Sequence, residues 1–166
     1  MTTIPVSTVP AAISYLLAGV QVAAAADPQV VAGTDEILVK LGDEIKNRPP
    51  DVIEFGRVNR QVKWETFVGS GGQFALYETY EIDCEVSSWV AYSDTYDDTS
   101  VAVQVNARAW QLLAYVETVI RTDPSLGGLV ETAYPKGATQ GLPEPDAQAK
   151  GLIVNISFPI HVEAFI

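Results

Sequence analysis

His161 is the single histidine of the chain and Cys84 its single cysteine, so a nucleophile with its base would have to draw on these two. His161 falls on the polar positions of an alternating stretch near the C-terminus, which reads as an exposed strand histidine. Cys84 falls in phase with Tyr80, Ile82 and Val86, and reads as a small, reduced, buried hydrophobe. One Cys and one His do not complete a structural zinc site, and no Asp/Glu spacing matches a calcium loop. Glu81, Asp83 and Glu85 align on one strand face, but a hydrolytic carboxylate pair needs a pocket that raises one pKa, and a solvent-facing stripe supplies none. Gly69, Gly71 and Gly72 imitate a phosphate loop without the following helix and its Lys or Ser/Thr. The residues therefore point to no metal, no cofactor and no enzymatic chemistry.

The carboxylate stripe belongs to the stretch from Phe74 to Pro124, around which the chain is organised. Tyr80, Ile82, Cys84 and Val86 alternate with Thr79, Glu81, Asp83 and Glu85, the period of a strand with one apolar and one acidic face. After an acidic turn over Ser93 to Asp98, Val101, Val105, Leu112, Val116 and Val119 recur at helical spacing, widened by Leu113 and Ile120. This helix is expected to lie on the apolar strand face and to end at Asp123-Pro124. An earlier helix is capped at Thr8 or Val9, holds Pro10 at its start, and stops at Asp27-Pro28. Its main face is Ile13, Leu16, Leu17, Val20 and Ala24, yet the opposite side carries Tyr15, Ala18 and Val22, with no charge between Ala11 and Ala26. The back of the later helix carries Val103, Trp110 and Ala114. Apolar residues on both backs predict a subunit interface that includes Tyr15, Val22, Val103 and Trp110.

Between and after the helices the pattern is shorter. Val30-Val31 and Glu36 to Leu41 read as short strands separated by Gly33-Thr34-Asp35. Residues 46–73 read as an excursion in which Val52 to Phe55 and Val62 to Val68 pair as a projecting hairpin. It holds five of the ten basic residues, Lys46, Arg48, Arg57, Arg60 and Lys63, suited either to contact with a neighbouring acidic copy or to a solvated loop. A short strand is expected through Tyr134, then a mobile loop or arm over Pro135 to Gly151, rich in Pro, Gly, Ala and Gln. In the last strand Val154, Ile156, Phe158, Ile160, Val162 and Ala164 alternate with polar residues. Pro159 lacks an N–H, placing this strand at a sheet edge or exposing that part of it.

With 166 residues the chain has the size of one domain. Ten basic and twenty-one acidic residues give a formal charge of −11, the wrong sign for holding nucleic acid through its phosphates. The apolar run Ile13 to Ala26 lacks a preceding Lys or Arg and is shorter than the ~20 residues of a membrane span, so a cytosolic protein without membrane anchor is expected.

The order of elements, and above all Asp123-Pro124-Ser125-Leu126-Gly127-Gly128-Leu129-Val130 after the helix, resembles the tail terminator proteins of long-tailed bacteriophages. The resemblance implies a single α+β domain, a mixed, mainly antiparallel sheet packed against two helices. It further implies a structural virion protein, assembled in the host cytoplasm, whose homo-hexamer caps the major tail tube protein at the neck-proximal end. Such a ring ends tube growth and meets the head-to-tail connector or stopper, while DNA passes through without specific binding. In a ring, Glu81, Asp83 and Glu85, with Asp94, Asp97 and Asp98, would face the lumen, or alternatively lie outward against Arg57, Arg60 and Lys63 of the next copy. Another head-tail joining protein, a stopper or adaptor, fits the same size and ring assembly; a monomeric binding module or hydrolase using the acidic stripe is the more distant alternative.

Overall fold

A computed structural model describes residues 6–42, 49–66, 74–91, 98–146 and 150–166. They form an α+β fold in which one mixed, mainly antiparallel sheet packs with three helices. Helix α1 spans Val9–Ala25 and α2 Pro28–Val31, followed by strands β1 (Ile37–Leu41), β2 (Asp51–Thr66) and β3 (Phe74–Ala91). Helix α3 (Asp98–Thr122) leads to β4 (Thr132–Pro135), β5 (Thr139–Gln140), β6 (Glu144–Pro145) and β7 (Gly151–Phe165). The sheet order is β1-β2-β3-β7-β4, with β5 and β6 also on β7. Among the described strands only β1 and β2 run parallel to each other. Of the acidic turn expected over Ser93 to Asp98, Asp98 begins α3 and the rest lies outside the described residues, as do Gly69, Gly71, Gly72 and the cations Lys46 and Arg48.

The alternation read along β3 and β7 sets the layers. Tyr80, Ile82, Cys84 and Val86 are buried beside Val154, Ile156, Phe158, Ile160 and Val162, and α3 covers this face with Val105, Leu112 and Val116. Helix α1 lies against α3 and β1 through Leu16, Val20 and Ala24. The two helices approach closely at Gly19, where an added Cβ would sit 2.8 Å from Val119 Cγ1. Burial of such aliphatic side chains is the dominant favourable contribution, about 1.5–3 kcal/mol for each Val, Leu or Ile.

Three expectations are corrected. Val30-Val31 is not a strand but the end of α2, because Asp27 Oδ1 accepts from the N–H groups of Gln29 and Val30 at 2.7 and 3.4 Å and Pro28 sits at the first turn. Val52–Phe55 and Val62 onward do not pair with each other, since both belong to β2, which runs antiparallel to β3 along its length. A bulge between Phe55 and Val58 inserts one extra residue, so that Ile53, Phe55 and Val58 all turn to the helix face. The third correction concerns the stretch after Pro135. Up to Asp146 it lies along β7 as a broken strand, with Lys136, Gly141 and Asp146 N–H groups donating to Pro159, Asn155 and Gly151 at 2.8, 2.9 and 2.9 Å. Residues 147–149 lie outside the described residues. Once β3 occupies one side of β7, the other side still needs main-chain partners, and these bonds are indifferent to side-chain composition. Pro159 accordingly sits inside the sheet, its missing N–H aimed at the break between β4 and β5.

The Asp123–Val130 run is a structural turn. Asp123 accepts from Ser125 Oγ, Tyr15 Oη and Gly127 N at 2.7, 2.8 and 2.6 Å, which holds its carboxyl down at about 2. Leu126, Gly127 and Gly128 follow with φ of 50, 75 and 78°, and Leu126 is fully buried. A left-handed residue with a Cβ costs about 1–2 kcal/mol, and at Gly127 that Cβ would also meet the Tyr15 ring at 3.1 Å. Gly127→Ala is therefore expected to lower unfolding free energy by about 1–2 kcal/mol in urea titration, and Gly128→Ala, with open space around it, by less.

Candidate functional site

Among the described residues the side chains that stand out form two surfaces and one buried cluster. The first surface is the sheet face away from the helices. Glu81, Asp83 and Glu85 lie there in a row, each opposite a β7 residue, His161, Pro159 and Ser157. Glu81 is paired with Lys136 of its own chain at 2.5 Å and takes a longer contact from His161 at 3.7 Å. The hydrogen bond and charge of Lys136 hold the Glu81 carboxyl below the ordinary range. Asp83 and Glu85 are exposed, and Glu85 accepts from Ser157 Oγ at 3.3 Å. Glu54 stands directly across from Glu85 and is tied to Lys40 at 2.9 Å. The stripe thus borders a groove of about 750 Å³, lined by Glu54, Arg57, Asp83, Glu85, Thr139 and Ser157, where the sequence pattern gave no hint of a concavity.

His161 is half-buried rather than exposed, wedged between Glu81 and Glu163 (Nε2 to Oε1 3.2 Å) and tilted against the Tyr134 ring at 5.1 Å. Cys84 lies on the opposite face, sealed in the core, and burial pushes its thiol up. The sheet itself keeps the two apart. Arg60, expected among the neighbour-facing cations, turns to the helix side and pairs with the buried Glu78 of its own chain at 2.5 Å. Glu78 also accepts from Thr8 N and Thr8 Oγ1, both at 2.6 Å, and from Ser7 Oγ at 3.0 Å, anchoring the start of α1. Burial works to raise this carboxyl, and the Thr8, Arg60 and Ser7 donors outweigh it and lower it.

The second surface is the outside of the helix layer. Val22 is 72% exposed, Val103 64% and Trp110 44%, while Trp110 Nε1 donates to Gln140 Oε1 at 2.7 Å. Tyr15 differs from these three: it is half-buried and committed to Asp123 and Gly127 within the subunit. Helix α1 contains no charged residue, and from Thr99 to Val116 the only charge on α3 is Arg108, which is buried. Over these stretches the outward face carries no charge: the exposed Gln21, Gln104 and Gln111 stand among its apolar residues, and Glu117 and Arg121 come in the last turns of α3. Nearby, Leu142 on the broken edge strand is 82% exposed.

Arg108 is the centre of the buried cluster, a feature the sequence reading missed. Its Nη1 donates to Asp27 and Nη2 to Asp35, both at 2.7 Å, and Nε to Asp51 at 2.5 Å. Asp27 further accepts from the Tyr115 hydroxyl and from Gln111 Nε2, and Asp51 from Ser88 Oγ at 2.7 Å. Burial works to raise the Asp27 carboxyl, but Arg108, Tyr115 and the Gln29 N–H outweigh it and hold it at about 2. At Asp51 burial prevails, and with Asp35 alongside the carboxyl is pushed up to about 6. The signal available in the sequence was a lone Arg in the otherwise uncharged stretch from Thr99 to Val116, which demands anionic partners once that face of the helix is buried. A cleft of about 390 Å³ opens beside the cluster, lined also by Gln104, Trp89 and Gln29. Among the described residues no group of three or more His, Cys, Asp or Glu is arranged to hold a metal ion, and no helix is long and apolar enough to cross a membrane.

A scan against protein-family models finds no match, and a search of curated proteins finds no match either.

Proposed function

We propose that the chain is the subunit of a hexameric ring that caps a bacteriophage tail tube, ends its growth and joins it to the head connector. The observation that carries this reading is the helix layer, whose outer side exposes Val22, Val103 and Trp110 and carries no exposed charge along α1 or from Thr99 to Val116 of α3, on a chain of net −11. A solvated surface on so acidic a protein has every reason to carry charge, and a face from which charge is excluded suits contact with protein. The Asp123–Val130 turn and the order of elements add the family resemblance. The acidic sheet face adds a surface past which DNA slides without sticking, because charge repeated around a ring repels phosphate within a Debye length of ~8 Å.

Solution mass tests the reading, first alone and then with tail tubes of the major tail protein. The expected species is a ring of about 107 kDa, six copies of the 17.9 kDa chain, or the same ring on tube ends, with tubes stopped at uniform length. A monomer in both settings, with tubes growing unchecked, removes the proposal. In rings that do assemble, replacing Glu81, Asp83 and Glu85 together with Lys is expected to slow DNA ejection if they line the lumen. Unchanged ejection places them on the outer wall.

A further inference from the structure

The buried cluster carries a consequence independent of ring assembly. Three carboxylates meet one guanidinium, and if all are ionised the cluster holds a net charge of −2 in a space where Asp27, Asp51 and Arg108 are 1, 2 and 8% exposed. Each guanidinium nitrogen donates to a different carboxylate, so a single positive charge is divided among three negative ones. Like charges held this close are not both ionised at modest cost, and the inexpensive remedy is a proton on one of them. The groups facing the cluster are known from each element: Asp27 at the α1–α2 junction, Asp35 before β1, Asp51 on β2, Ser88 on β3, and Arg108, Gln111 and Tyr115 on α3. Among these described residues Arg108 is the only cation.

We propose that Asp51 binds a proton beside Arg108 and Asp35, making the cluster a proton-binding clasp that holds α2 and the start of β1 and β2 against α3 more tightly as pH falls from 7.5 to 5. Asp51 is the seat of the proton because its side chain is more deeply buried than that of Asp35, 2% against 12% exposed, and it receives fewer donors than Asp27. Asp27 stays ionised, since it receives Arg108, Tyr115, Gln111 and two backbone N–H groups. The sign follows from the direction of each shift. Asp51 is raised from 3.8 to about 6, so its contribution to stability is complete below the unfolded value and lost as pH rises through about 6. Asp27 is lowered to about 2, so its contribution is present above 3.8 and lost only as pH falls toward 2. Between these limits, near pH 4–6, both contribute.

The test is urea unfolding of the full chain from pH 5 to 7.5, for the native protein and for Asp51→Asn, whose amide mimics the protonated carboxyl. The native protein is expected to show an unfolding constant rising roughly tenfold more steeply over this range than the variant. Equal slopes overturn the proposal. Should Asp51→Asn fail to fold, Asp35→Asn serves the same comparison, because removing the neighbouring charge releases the proton and flattens the profile. Carbon NMR titration of the aspartate carboxyls gives a second readout: one midpoint near pH 6 is expected, and all of them below pH 4.5 would overturn the assignment.

Discussion

Arg108→Met is expected to cost about 3–5 kcal/mol of folding free energy at pH 7, the largest loss predicted for any single replacement of a charged residue here. The side chain is 8% exposed and four of its five donors are matched to Asp27, Asp35, Asp51 and Gln111. Methionine fills much of the volume, so the loss does not come from a cavity. It comes from three carboxylates left in a poorly solvated space with no cation. The variant should recover part of its stability as pH falls toward 4, because protonation relieves the repulsion the guanidinium formerly balanced. Arg108→Lys is not a conservative rescue, since an ammonium is a point charge that cannot present three directed N–H groups to carboxylates on three elements. Urea unfolding at pH 7 and pH 4.5 measures both effects. A loss under about 1 kcal/mol at pH 7 would mean that the cluster is solvated and that its ion pairs behave as surface pairs.

If the chain assembles as the proposed ring, Trp110→Glu is expected to abolish that assembly while leaving the subunit folded. Trp110 is 44% exposed and bonded only to the Gln140 side chain at the surface, so the subunit should change by about 1 kcal/mol or less. In an apolar interface without compensating cations, six introduced carboxylates would each be desolvated or would force the contact open. Val103→Glu, one stripe position away and 64% exposed, provides the same test with no hydrogen bond lost. Light scattering and far-UV circular dichroism separate the outcomes: monomer with native helix content is expected. Rings of unchanged mass in both variants would move the interface elsewhere, and the exposed edge residues Val62 and Leu142 would become the places to look.

Tyr15 shows why sequence-based reading of surfaces goes astray. It occupies the outer half of an all-apolar helix, which at the level of periodicity equals the position of Val22. Yet Asp123 and Gly127 come from 108 and more residues away to cover it, and nothing in local spacing announces them. Arg60 is a similar case: it remains a surface cation, but a buried carboxylate on the neighbouring strand, Glu78, engages it within its own chain. Glu78, in phase with Tyr80 and Ile82, could have been found by extending the alternation one step further and asking what a buried carboxylate would need.

By itself the sequence determined what depends on near neighbours along the chain. The span of α1 and α3, the buried faces of β3 and β7, the stop at Asp123-Pro124 and the seating of Cys84 all follow from periodicity and capping, whose causes lie within a few residues. Tertiary structure alone decided which strands became neighbours, that the Pro- and Gly-rich stretch after Pro135 would serve as the second partner of β7, and that three aspartates would converge on Arg108. Strand pairing is made by main-chain groups that every residue possesses, so composition carries little information about it. The convergence on Arg108 is a matter of meeting in space: Asp27, Asp35 and Asp51 are ordinary turn and strand-end residues until α3 delivers a guanidinium among them.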